Sequence, residues 1–410
     1  MAKIDMLYKN LVGFLNANPG MKFFSEEKPF QSFISVLYEK ELDKWTSFEL
    51  VESFSYSWLE KEPDKSKLMG QFPDYLRKLK AYLKANTQRH FVIVPLFLSS
   101  IKADIKAKNF RIISGTEEAK IEKLIKISGT TKTTGQFFSQ HTKQSRSPSF
   151  FMYPLLVIPI KSQTLIVRIR SVDLAKLYFY IIRTFWMAEK LSVPKKDEGR
   201  SGFRFMSATA FDENSHLAIW SKRSADFSHS PLHYNLAFRD ELDFIGSRSG
   251  QIDKMINVLI FSKERNEWNE KFLNALIILN KGLDLEFEHE ESLALLVYLS
   301  AAESLLTEGR NEKSLRLASI LPKLSKTRIQ VAKRSSRILK ELYLVRNSFV
   351  HAATDRGPRS VDQKADINSL VLLTSLISSL LVNNYDKTNT KSYKDWISLT
   401  DSTFEKKVFG

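Results

Sequence analysis

An arginine and a histidine five residues apart, with an asparagine directly after the arginine, are the residues of this chain best suited to chemistry on a phosphate. Arg346, Asn347 and His351 lie in the stretch Lys340-Glu341-Leu342-Tyr343-Leu344-Val345-Arg346-Asn347-Ser348-Phe349-Val350-His351. A guanidinium stays charged and its planar fork can grip two phosphate oxygens at once. An imidazole ionises near neutral pH, so it can take a proton or give one there. Asn347 is expected to steady the arginine or a phosphate oxygen, and Glu303, from an earlier helix, to orient Arg346.

The element that carries these residues is expected to be a helix from about Thr327 to His351. Ile338, Leu342, Val345 and Phe349 recur at helical spacing and would face a core. On an ideal helix a step of five residues turns two side chains about 140° apart and separates them by about 7.5 Å. The helix is therefore expected to end near His351, or the long Arg346 side chain to reach across. Between Lys323 and Arg346 the chain carries four lysines and four arginines against one acid, Glu341. Lys333, Arg334, Arg337 and Lys340 are the candidate contacts to a polyanion's backbone, because phosphate contacts supply most sequence-independent affinity. Spacing alone is weak evidence, since Arg223 and His229 repeat a looser version of the pair on an apparent loop. Its setting in a helical array adds weight. Helices are expected over Ile252–Ile260, Trp268–Leu279 (stopped at Gly282), Leu293–Leu306, Lys313–Leu324 and Asp366–Asn383. Leu293–Leu306 is apolar nearly all round and should sit at the centre.

The run from Leu293 to His351 resembles the HEPN superfamily, most of all its Apea-like branch. The likeness rests on Ser300-Ala301-Ala302-Glu303-Ser304-Leu305-Leu306, on Leu315-Arg316-Leu317-Ala318, and on Tyr343 to His351. That last segment holds an arginine, a polar residue and a histidine with four residues between the charged pair. Ala352 stands where the family often has glycine. The resemblance covers roughly residues 250–385 and implies a metal-independent endoribonuclease that uses no cofactor and works as a homodimer. Arg346, Asn347, His351 and Glu303 would be its site residues, RNA its substrate, and antiviral or abortive-infection defence its setting. A phage or cellular trigger at the N-terminal region would then control it. A non-catalytic helical module for dimerisation or nucleic-acid binding is the alternative. The expected fold class is α+β: an N-terminal helical region (1–85), a mixed α/β region (86–245), an all-α HEPN-like bundle (250–385) and a loosely packed, charged tail (386–410).

Composition agrees with a polyanionic partner. The 410 residues carry a formal net charge of +16 and no cysteine. An excess of that size favours nucleic acid over an anionic membrane surface. Absence of thiols excludes disulfides and thiolate metal sites and suits a reducing cytoplasm. The first residues lead into an amphipathic pattern, and no apolar run reaches the ~20 residues of a spanning helix. A soluble cytoplasmic protein is expected. In the N-terminal region one long helix is expected from Gln31 to about Lys61, and another over Tyr75–Leu83 with Arg77, Lys78, Lys80 and Lys84 on its wet side. In the middle region strands are expected at His90–Leu98, Phe110–Ile113 and Leu217–Ser221, a helix at Thr116–Ile127, and a mobile basic loop at Gly129–Ser149. A hairpin of Met152–Ile160 with Thr164–Arg170 should precede an aromatic helix opening at Ser171. Asp212, Glu213, His216, His229 and His233 fit no familiar metal-ligand spacing.

Overall fold

A computed structural model describes residues 2–19, 21, 26–42, 46–62, 64–145, 148–190, 207–221, 227–232, 234–238, 242–262, 267–307, 313–325, 329–354, 367–385 and 393–408. The fold is α+β, with a helical C-terminal region. The chain opens with four helices, α1 (Ala2–Ala17), α2 (Lys28–Glu41), α3 (Phe48–Glu60) and α4 (Phe72–Ala85). They share a core of their own, in which Tyr8, Phe33, Phe72 and Tyr75 meet with ring centroids 5.3–6.4 Å apart. The single long helix expected over Gln31–Lys61 is two. Ser47 ends the first option by capping α3: its hydroxyl accepts from the Leu50 amide at 3.2 Å, and its own amide donates to Gln163 Oε1 at 2.7 Å. Three cations of α4 lie on the surface with nearby acids, Arg77 and Lys78 against Asp74 and Lys80 against Glu41.

Next come β1 (Gln88–Pro95), β2 (Ile105–Lys106), β3 (Arg111–Ile113), α5 (Glu117–Ser128), α6 (Lys132–Ser145), β4 (Leu155–Ser162) and α7 (Thr164–Lys190). Then follow β5 (Ser207–Phe211), β6 (His216–Ser221), β7 (Phe227–Pro231) and β8 (Tyr234–Phe238). Six strands pair antiparallel in the order β2-β3-β4-β1-β6-β7, and β5 pairs with β8 apart from them. Both faces of the larger sheet are covered. Phe91, Ile93, Val157 and Trp220 face α5 and α6, while Val92, Val94, Ile158 and Ile219 face α7 and the helices beyond. That double burial explains the near-continuous apolar runs in β1, β4 and β6.

Two expectations in this region are overturned. Gly129–Ser149 holds α6 rather than a loop. Phe138 anchors it, and Gly135 lets it lie close to α5, since a Cβ there would stand 2.5 Å from Ile125 Cδ1. The expected second hairpin strand, Thr164–Arg170, is the first two turns of α7. Its alternating Leu-Ile-Val-Arg-Ile-Arg run mimics a strand, but burial of Ile166, Val167, Ser171, Leu174 and Ala175 follows the helical period.

The C-terminal region contains α8 (Asp243–Ile256), which runs into a π-helical turn at Asn257–Phe261, and then α9 (Glu267–Phe287). It continues with α10 (Glu291–Leu306), α11 (Lys313–Leu324), α12 (Ile329–Thr354), α13 (Ile367–Asn384) and α14 (Tyr393–Val408). Gly282 does not stop α9. It sits inside the helix because a Cβ there would lie 2.5 Å from Tyr298 Cε1, so it permits the close packing of α9 on α10. Within the tail, expected to pack loosely, Tyr393–Val408 is a packed helix. In α14, Trp396 is buried and donates from Nε1 to the Leu305 carbonyl at 2.7 Å, and Asp401 pairs with Arg316 at 2.6 Å. α10 is central as expected, with Leu295, Tyr298, Leu299 and Ala302 buried. One core runs from the sheet through Tyr178, Phe185 and Trp186 of α7 into Leu276, Leu295 and Leu376. Among the described residues no helix is long and apolar enough to cross a membrane.

Candidate functional site

α12 buries Leu339, Leu342 and Tyr343 against the bundle and leaves Leu344 on the outside. α10 lies beside it. Because Ala301, Ala302, Leu305 and Leu306 point into the core, Glu303 is left at the edge of α10 that borders α12. There a small polar cluster forms. The Tyr343 hydroxyl donates to Glu303 Oε1 at 2.8 Å. Lys313, at the start of α11, places Nζ 3.5 Å from Glu303 Oε2. Arg346 approaches the same carboxylate less closely, with Nη2 3.9 Å from Oε1. Its Nη1 donates to Asn347 Oδ1 at 3.3 Å, and its guanidinium lies 5.2 Å from the centre of the Tyr343 ring.

These distances rank the commitments. Glu303 is 13% exposed and takes its close hydrogen bond from Tyr343, whereas Arg346 keeps 29% exposure and only long contacts. A charge held at the rim by a ring face and a weak ion pair still has donors to offer an oxyanion. Tyr343 remains a neutral donor: burial, then the hydrogen bond and charge of Glu303, push its phenol up to about 12, against the opposing pull of Arg346. Tyr343 and Lys313 were not among the residues singled out from sequence. Tyr343 stands three residues before Arg346, a spacing that puts side chains together on a helix, and could have been found that way. Lys313 belongs to the cluster only through the packing of α11.

The backbone of His351 lies within α12, which continues to Thr354 rather than stopping at the histidine. The side chains of His351, Lys333 and Arg334 lie outside the described residues. Arg337 and Lys340 are exposed, and Arg337 forms an i,i+4 pair with Glu341 at 3.1 Å. In an unbroken helix, positions 333, 337, 340, 344, 347 and 351 follow one flank, and 346 lies about 140° from 351. The guanidinium thus belongs to the inner edge of α12, and residue 351 to the register of the basic flank.

Among the metal candidates of the middle region, His216 and His229 bond to different partners. His216 Nδ1 is 2.8 Å from the Asn214 carbonyl, and His229 Nε2 is 3.2 Å from Thr142 Oγ1. Asp212 accepts the Asn214 amide, and His233 lies outside the described residues. Among the described residues no three His, Asp or Glu side chains are gathered to hold a metal ion. Comparison with protein-family models, with curated proteins and with solved structures finds no match.

Proposed function

We propose that the chain is a metal-independent endoribonuclease of the HEPN type, with Arg346 and His351 as its working residues. The observation that carries this reading is the state of Arg346: a half-buried guanidinium at a rim, propped by Asn347 and Tyr343 and only distantly by Glu303. Cleavage would proceed by attack of the ribose 2′-oxygen on phosphorus, forming that bond and breaking the bond to the 5′-oxygen. One imidazole accepts the 2′ proton and a second donates a proton to the departing 5′-oxygen. Arg346 neutralises the pentacoordinate phosphorane between them. Since position 351 is turned away from Arg346 on one helix, a two-fold homodimer supplies the geometry. His351 of the partner subunit would complete the cleft beside Arg346. Lys340 and Arg337, with Lys333 and Arg334 on the same helix, would hold the RNA backbone. The setting that goes with this reading is a cytoplasmic antiviral or abortive-infection effector, restrained until a trigger engages the N-terminal region.

Incubating the purified chain with total RNA in the presence of EDTA tests the reading. Cleavage is expected, with 2′,3′-cyclic phosphate ends, and Arg346→Ala and His351→Ala should each lower it at least about 100-fold. Cleavage undiminished in both variants removes the proposal. Abolition by EDTA points to a metal enzyme instead, and RNA bound without products points to a non-catalytic helical module.

A further inference from the structure

Phe137 and Phe138 stand side by side on α6 and do opposite things. Phe138 is fully buried, with its ring 4.9 Å from Trp220 and 5.0 Å from Phe227. Phe137 is 58% exposed. One turn later His141 is exposed too, its ring 6.0 Å from that of Phe137. Across from them Phe227 and His229, two apart on β7, point to the same side. Phe227 lies 6.0 Å from Phe137, and His229 stacks on His141 at 5.2 Å with the rings within 22° of parallel. Four rings thus form a row over a helix and the strand that ends the six-stranded sheet. Neither α6 nor β7 contains an acid, and α6 contributes Lys132 and Lys143. The nearby Glu117 of α5 is bound to Lys143 and Ser139.

We propose that this row is a stacking site for the bases of single-stranded RNA, on elements separate from α12. It goes beyond the cleavage reading and stands whether or not α12 cuts. Packing accounts for Phe227, which lies on Phe138 and Trp220, but not for Phe137, whose ring is left in water. Rings lined up on a cationic surface are what single-stranded nucleic acid uses, since every base offers a π face and the backbone seeks the lysines. Unpaired bases can lay a face on an exposed ring, and a duplex, whose base faces are hidden, cannot.

Fluorescence anisotropy tests this with a short labelled oligouridylate and a labelled duplex RNA of the same length. The full chain carries His351→Ala throughout, so that the probes survive. Phe137→Ala and His141→Ala should each weaken single-strand binding by about 5- to 100-fold, while Phe137→Trp retains it. Duplex binding should not change in any of the three. Thermal melting of the same samples should be unchanged, because both side chains are exposed. Equal affinity for the single strand in wild type and both alanine variants overturns the proposal, and so does an equal loss for duplex and single strand. Cleavage is assayed separately in chains with His351 intact. Intact cleavage beside failed stacking would remove only this site, and intact stacking beside absent cleavage only the other.

Discussion

At the scale of residues, the cluster around Glu303 depends on one phenol. Tyr343 lends its hydrogen to Glu303 and its ring face to Arg346, so it positions both. Removing the hydroxyl in Tyr343→Phe should cost about 1–3 kcal/mol, the usual range for a bond to a charged acceptor. The pH dependence has a definite sign. An unfolded tyrosine loses its proton near 10, and Tyr343 in the folded chain near about 12. Between those values the folded chain keeps a proton that the unfolded chain gives up. The group's contribution is therefore complete below pH 10 and disappears as pH rises through 12. Denaturant titrations at pH 8 and pH 11 check this: the wild type should lose more stability between them than Tyr343→Phe. Equal losses would show that the phenol is not held as described. Of this cluster, Arg346 and Asn347 stand out in the sequence because their types and spacing suit a phosphate, and Glu303 because it is the acid in the otherwise largely apolar run Leu293–Leu306. Lys313 does not, because nothing local ties it to a carboxylate ten residues earlier on another helix.

At the scale of elements, legibility followed the hydrophobic period. α11 lies on Lys313–Leu324, as its pattern predicts, and α10, α12 and α13 differ from expectation by a few residues at their ends. The misreadings occurred where a local signal competed with packing. Gly282 resembles a helix stop, yet its role is to let the Tyr298 ring approach the α9 backbone. Tyr298 is pinned there by its own hydroxyl, which donates to the buried Glu286 at 2.5 Å. Gly282→Ala should therefore destabilise by about 1–3 kcal/mol despite the better helix propensity of alanine; calorimetry that shows a gain would refute the close approach. α14 was missed because its polar composition hides a single large anchor. Trp396 packs tilted against Trp268, with ring centroids 4.6 Å apart, and satisfies the last turn of α10 through the Leu305 carbonyl. Trp396→Ala should cost about 3–5 kcal/mol in chemical denaturation.

At the scale of the whole molecule, two cores decide what holds together. α1–α4 enclose their own, whereas the sheet, α7 and the C-terminal helices share another. No composition shift near residue 245 announced that sharing, because α7 belongs by sequence to the middle region and by packing to both. Its Arg183 is buried and pairs with Asp284 of α9 at 2.6 Å. A chain lacking residues 1–85 should therefore melt in one cooperative transition, while residues 250–408 alone should give none by circular dichroism. A sharp transition from the shorter piece would show that the helices need no sheet. The same wall sets how such a protein can change over evolutionary time. A recombination event that moved the C-terminal helices into another gene without Thr164–Lys190 would deliver them with one oily side uncovered. Sheet and bundle must then be inherited as a pair, and novelty is left to gather at the first four helices, which bring their own interior along.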